Sequence, residues 1–531
     1  MAEFAFDVPP SMAGWLAACG WEQSHLCGIE GVPLPTRVRV DGTTLTLVRS
    51  TPGSAKLVFP ATIDGLGPRT LTTTSLRPTA GGVDGRRHPP YGLIPELARG
   101  AVDAMRRHGG RGADGESMPD EPGISPESGF VATQLAHGRG DTETAARHGV
   151  ATIVAAHRRL AAVTRRRWTE TINATVASGR PLGTLVAVGV TPPRRSGAGG
   201  TMTGGTKTSG TKTGGGDAID WTRLASAFNA VNLRTTWSDL ESDSGRLDFD
   251  ALDHAMDAAS AAGLRVVAGP LLDFRGKRLP HWLYLLEDDF DSLVRVVCRM
   301  ATSVVSRYAG RVQLWNVASA LNLPGPLPLS EERTMALAVK LLQSVRRADP
   351  NAATLMSFDC PMGEYLASNA RGISPIHFAD AVLRSGLGLS GLGLEIRTGY
   401  DAPSTLPRGA WEFGSLMDRW SMLGVPLMVT AAVPADVGPD HHAISERGVV
   451  NPRRDPDMTA ADRITATPAS QLTDGGSLLA AALARSSVHG FVWDGYDDRL
   501  PHTVPHAGLI DAAGRSRPLW DVFRRLRSGV V

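Results

Sequence analysis

From Gly183 onward the chain alternates short apolar runs with amphipathic stretches, and it does so eight times. The runs fall at 184–190, 228–231, 264–268, 312–317, 353–358, 392–396, 427–430 and 491–493. Helical periodicity fills the intervals at 221–227, 249–262, 290–308, 330–348, 375–384, 411–423 and 476–487, and it returns after the last run at 518–526. Short runs that stay apolar on both faces suit parallel strands covered by helices. Eight such strands, each followed by a helix, predict an α/β chain closed into a (β/α)8, or TIM, barrel. A doubly wound open sheet is the rival. It is weakened by the count of eight and by the lack of a Gly-rich nucleotide fingerprint after the first strand.

The barrel is expected to occupy 183–531, with a Gly/Thr/Lys-rich insertion at 192–217. The insertion has no G-x4-G-K-[ST] arrangement, so Lys207 and Lys212 are not phosphate-loop lysines. Residues 1–85 read as a small β-rich, sandwich-like domain, because 36–48 alternates around the hairpin pair Asp41-Gly42. Residues 86–182 read as a helical connecting region, with helices at 91–108 and 142–178 and a flexible excursion at 109–126. Arg158-Arg159 and Arg165-Arg166-Arg167 are read as a solvated helix face, since no aromatics are interleaved with them.

Hydrophobic residues make up 42% and charged residues 20% of the 531, enough for a full-sized core. A net charge of +2 argues against a nucleic-acid or membrane-surface partner. Cys19, Cys27, Cys298 and Cys360 lack metal spacing and are expected as free thiols in a reducing compartment. No signal peptide and no 18-residue apolar stretch is found, so the expectation is cytoplasmic, without a membrane partner. The oligomeric state is left open.

The carboxyl ends of barrel strands face the active-site mouth, so residues there are the candidates for chemistry. Glu395 and Arg397 end the sixth strand, Asp494 follows the eighth, and Asp273 lies just past the third. The bland roles are an ion pair for Glu395 with Arg397 and a turn acceptor for Asp494 before Gly495. Asp497 and Asp498 are expected as solvated caps of the same loop. Trp237 and Trp493, joined by Arg397 and Tyr400, are the candidate wall of a sugar-binding pocket, with core packing as the competing reading. For Trp282 and Trp315 core packing is the expectation. His441-His442 and His502 with His506 are not read as a metal site, and no cofactor is expected.

Several pieces of this region, taken in order, resemble family 10 glycoside hydrolases, the endo-β-1,4-xylanases. Phe228 to Trp237 with Glu241 and Phe249 looks like the family's second-strand region. Pro280-His281-Trp282 resembles its P-x-W turn, and Tyr308 to Arg311 with Trp315-Asn316-Val317 resembles its "RY-x-G-R…W-D-V" segment. Pro505 to Leu526 is similar to its closing segment. The resemblance implies a retaining mechanism with a glutamate acid/base in an Asn-Glu pair on the fourth strand and a glutamate nucleophile in a Thr-Glu pair on the seventh. This chain has Ser319-Ala320 and Thr430-Ala431 at those places, and Gly269 where the family has a strand-ending His.

Retaining hydrolysis needs two carboxyl groups flanking the scissile bond, and a methyl group replaces neither. Three readings follow. The favoured one is a barrel that binds a glycan or oligosaccharide without the standard hydrolytic pair. The second is an active glycosidase with relocated carboxylates, Glu395 and Asp494, suited to inversion if about 6.5–9.5 Å apart. The third is a protein-interaction scaffold built on the N-terminal region.

Overall fold

The computed structural model describes residues 1–83, 85–108, 125–177, 183–193, 219–275, 278–369, 372–398, 405–437, 440–443 and 466–529. Tyr400, nearly all of the 192–217 insertion and most of the 109–126 excursion lie outside the described residues.

Two four-stranded sheets open the chain. One holds β1 (Ala2–Asp7), β4 (Arg37–Asp41), β5 (Thr44–Arg49) and β8 (Tyr91–Gly92) in the order β4-β5-β1-β8. The other holds β2 (His25–Cys27), β3 (Pro33–Leu34), β6 (Lys56–Ile63) and β7 (Gly67–Thr72) in the order β3-β2-β6-β7. The expected hairpin is β4–β5, and Gly42 supplies the positive φ of 58° that its turn requires. Phe4, Phe6 and Leu47 of one sheet and Leu57, Phe59 and Leu71 of the other meet in one core. The helices Leu93–His108 and Thr142–Ala177 close that core with Leu97, Val102, Ile153 and Leu160. The β-rich and helical parts therefore share one interior.

The barrel follows. Its strands are β9 (Leu185–Val190), β10 (Ala230–Leu233), β11 (Arg265–Ala268) with its short continuation β12 (Leu272–Asp273), β13 (Leu314–Ser319), β14 (Ala353–Asp359), β15 (Gly391–Arg397), β16 (Leu427–Ala432) and β17 (Val488–Trp493). All neighbours pair in parallel, β17 returns to β9, and β11 reaches β13, so the sheet closes. The eight strands and their helices make the expected (β/α)8 barrel. The second strand begins two residues later than its apolar run suggests. Phe228 packs instead against Trp520 and Phe523 of the last helix, Pro518–Ser528.

Side chains of a strand alternate between the barrel interior and the helix layer. Ala187, Ala230, Val267, Leu355, Met428 and Val492 fill the floor of the interior. Two residues further along the same strands the interior turns polar, with Asn232, Ser357, Thr430 and the carboxylate of Asp494. Two further still it is charged, with Arg234 and Asp359. The opposite parity, including Val188, Val231, Val429, Phe491 and Trp493, packs outward against the helices in the main core.

The N-terminal unit docks on the barrel through backbone as well as side chains. Thr70 N–H donates to the Pro407 carbonyl at 2.8 Å, and Thr36 N–H donates to that of Ala367 at 3.0 Å. Among the described residues no helix is long and apolar enough to cross a membrane.

Candidate functional site at the barrel mouth

Glu395 and Arg397 stand two apart on β15, so both turn inward. Arg397 is 2% exposed. Its Nε donates to Asp494 Oδ2 at 3.0 Å, and its Nη1 donates to Asp359 Oδ2 at 3.0 Å and to Glu395 Oε2 at 2.5 Å. A second guanidinium enters from the loop after β12. Arg275 grips Asp273 with two bonds, of 2.7 and 2.6 Å, and its Nη1 donates to Glu395 at 2.9 Å and to Asp359 at 3.2 Å. Arg234 pairs with Asp494 Oδ1, and Arg278 lies 3.9 Å from Asp273.

The result is an interlocked set of four guanidiniums and four carboxylates across the mouth. A Cβ at position 189 would come to 3.0 Å from Asp494 and 3.3 Å from Arg234, so glycine there spares the pair a crowded contact. Ser319 is turned inward by an irregularity in the β13–β14 register after Asn316, and its hydroxyl donates to Glu395 Oε1 at 2.7 Å.

Burial and the neighbouring guanidiniums pull on these carboxyls in opposite directions. Burial would raise the pKa of Glu395, but Arg275, Arg397 and the Ser319 hydroxyl outweigh it and hold the carboxyl at about 2. Asp273 follows the same logic: burial raises it, and Arg275 brings it below the usual carboxylate range. Asp359 goes the other way, because burial outweighs Arg397 and Arg275 and lifts it above that range. Its remaining oxygen, Oδ1, accepts from the Cys360 N–H at 2.8 Å, so it too is committed inside the protein.

The other sequence candidates are placed by strand parity. Trp493 precedes Asp494 by one residue, so the two cannot face the same side. Asp494 points inward, whereas the Trp493 indole packs outward near Phe523 and donates to the Ala507 carbonyl at 2.9 Å. Trp237 is 1% exposed, donates to Glu241 Oε2 at 2.8 Å and meets Trp282 edge to face. Both indoles are thus core residues with satisfied N–H groups, not the wall of a pocket. Trp315 and Trp282 join the same core.

Ala320 lies just past β13 at a left-handed φ of 61° and packs with Leu323 and Cys360. Ala431 pairs with Ile396 and faces the helix layer, so the inward residues of β16 at this level are Thr430 and Ala432. Asp497 and Asp498 are buried rather than solvated, paired with Arg499 and Arg517 at 2.6 Å each. Sequence reading missed Arg275 and Arg234 as members of the mouth. Their signal was parity: each stands two residues beyond an inward position, Asp273 and Asn232.

A cavity of about 130 Å³ opens beside the mouth. The start of β7 (Pro68, Arg69) meets the segments after β15 and β16 (Thr398, Pro434) and the helix Pro468–Leu483 there. Arg69 and Asp474 both line it without bonding to each other, and Ser470 and Phe413 complete a mixed polar and apolar wall. Arg408, also in the wall, is tied to Glu364 at 2.5 Å.

No protein-family model matches the chain, and no curated protein matches it. Among solved structures it is similar to native xylanase 10B from Thermotoga maritima, at 14% identity and a TM-score of 0.46, covering 68% of this chain and 97% of that one. It is also similar to xylanase 10B from Thermotoga petrophila RKU-1 in complex with xylobiose, at 14% and 0.45, covering 66% and 96%. A thermostable mutant of the xylanase Xyn10A from Cellvibrio japonicus stands at 16% and 0.45, covering 67% and 99%.

Proposed function

We propose that this chain is a family 10 glycoside hydrolase-like barrel that binds a glycan or related polyol and does not hydrolyse it. One observation carries the reading: the inward carboxylates at the strand ends are bonded to buried guanidiniums. A general acid must hold a transferable proton near the working pH. Glu395, at about 2, is a carboxylate at neutral pH and has none to give. As a nucleophile it would have to leave Arg275, Arg397 and Ser319, a desolvated set of bonds that holds it in place. Asp494 is 0% exposed and clasped by Arg397 and Arg234, which leaves no water-sized gap for the inverting role.

The rim cavity supports the binding half of the reading. A guanidinium donor, a carboxylate acceptor, a hydroxyl and an aromatic edge suit a small polyhydroxylated molecule. The test has two arms. Wild-type protein incubated with xylan and xylo-oligosaccharides is expected to release no reducing sugar above the blank. Hydrolysis by the wild type that Glu395→Gln abolishes would overturn the reading in favour of relocated carboxylates. Calorimetric titration with xylo- and cello-oligosaccharides is expected to show saturable binding weakened by Arg69→Ala. Silence across a broad glycan panel would point instead to a protein-interaction scaffold.

A further inference from the structure

Beyond the mouth, two loops bring together residues that are 58 to 62 positions apart in the chain. Asp440 comes from the loop after β16, and Asp498 and His502 come from the loop after β17. We propose that these three residues bind one divalent transition-metal ion, with zinc the best fit. In the sequence the histidines stand too far apart to read as a metal site, and Asp440 joins them only in the fold.

The geometry carries the assignment. Ligand atoms about 2.1 Å from a tetrahedral zinc lie about 3.4 Å from one another. Here His502 Nε2 is 2.8 Å from Asp440 Oδ2 and 3.9 Å from Asp498 Oδ1, and the three ligand atoms all lie within 4.8 Å of one another. An imidazole with two carboxylates forms a mixed N/O set that suits zinc over calcium or magnesium and leaves a fourth position for water.

The groups behind the ligands orient them as metal sites require. His502 Nδ1 lies 2.7 Å from the Leu500 carbonyl, which can only accept, so Nδ1 carries the hydrogen and Nε2 is aimed at the carboxylates. Asp440 is fixed by the backbone N–H groups of His442 at 3.0 Å and His506 at 2.8 Å. Asp498 is fixed by the Gly508 N–H at 2.8 Å and by Arg517 at 2.6 Å. Arg517 neutralises one of the two carboxylates, so the set presents one net negative charge to a dication.

The full chain, stripped with chelator and dialysed, should bind one equivalent of Zn²⁺ in calorimetry, with affinity rising as pH increases and protons released to buffer. Asp440→Asn and His502→Gln are expected to weaken binding by more than about 100-fold, beyond the cost of losing an outer-sphere partner. His441→Ala, an exposed neighbour, should leave it unchanged. Circular dichroism checks that each variant is folded. X-ray absorption of the loaded protein should report a nitrogen/oxygen shell without sulfur. Absence of saturable Zn²⁺ binding by the wild type, or binding equally strong in folded Asp440→Asn, would overturn the proposal and leave an imidazolium–carboxylate pair only.

Discussion

Glu395 in the barrel mouth and Glu412 at the seam with the N-terminal unit are both buried glutamates, and burial alone raises the pKa of each. Their fates differ because their neighbours differ. Glu395 accepts from two guanidiniums and a hydroxyl and is held at about 2. Glu412, 11% exposed, is pushed up to about 7, because burial outweighs the backbone N–H groups of Glu412 and Gly409 and the more distant Arg69 and Arg408. Its nearest basic neighbour, His157 Nδ1, is 3.6 Å away and is itself lowered to about 4, chiefly by burial. The mouth thus matches its carboxylates to guanidiniums, whereas burial at the docking seam pushes both Glu412 and His157 towards their neutral forms.

The largest test of that contrast removes the hub of the mouth. Arg397→Met keeps much of the side-chain volume but strips Glu395, Asp359 and Asp494 of a shared partner. Breaking a buried pair from one side typically costs about 3–5 kcal/mol. A loss of that size is expected in urea unfolding at pH 7. A loss under about 1 kcal/mol would mean that Arg275 and Arg234 carry the network unaided.

The seam should respond with the opposite sign. Folded Glu412 keeps its proton up to about pH 7, while the unfolded chain releases it near 4.5. Its contribution is therefore intact below pH 4.5, declines between 4.5 and 7, and stays lost above that, by about 3 kcal/mol at most. His157 runs in reverse: its folded pKa of about 4 against 6.5 removes stability as pH falls from 6.5 to 4. The two slopes oppose one another in the wild type, so the difference between wild type and Glu412→Gln isolates the carboxyl. The variant should be the more stable by about 3 kcal/mol at pH 8, and the gap should close below pH 4.5. A gap that persists unchanged across that range would show that Glu412 is ionised in the fold.

The same contrast explains what could be read in advance. Eight apolar runs were legible because burial on both strand faces favours apolar side chains, as in Phe491 to Trp493. The inward pair Glu395 and Arg397 was legible because a spacing of two fixes a common face. Trp493 and Asp494, or Thr430 and Ala431, were assigned together to the mouth although adjacent residues on a strand diverge. The partners that decide the chemistry, Arg275 on Glu395 and Asp440 on His502, join across 120 and 62 positions. Only the assembled barrel supplies those contacts, across its mouth for the first pair and between the loops of neighbouring strands for the second, and no local pattern encodes them.

The smallest effect concerns one hydroxyl. Ser319→Ala removes the donor to Glu395 Oε1 and leaves the two guanidiniums on Oε2. A hydrogen bond to a charged acceptor contributes about 1.5–3 kcal/mol, and the low end applies where other donors remain nearby. Because Glu395 has its pKa lowered in the fold, its stabilisation is present above about 4.5 and is lost as pH falls towards 2. Losing the hydroxyl should lift the folded pKa, which reduces stability by about 1.5 kcal/mol at pH 7 and moves the acid limb of the unfolding profile upward. Loss at pH 7 with an unmoved acid limb would mean that Ser319 acts by packing under the mouth, and that the guanidiniums alone set the charge of Glu395.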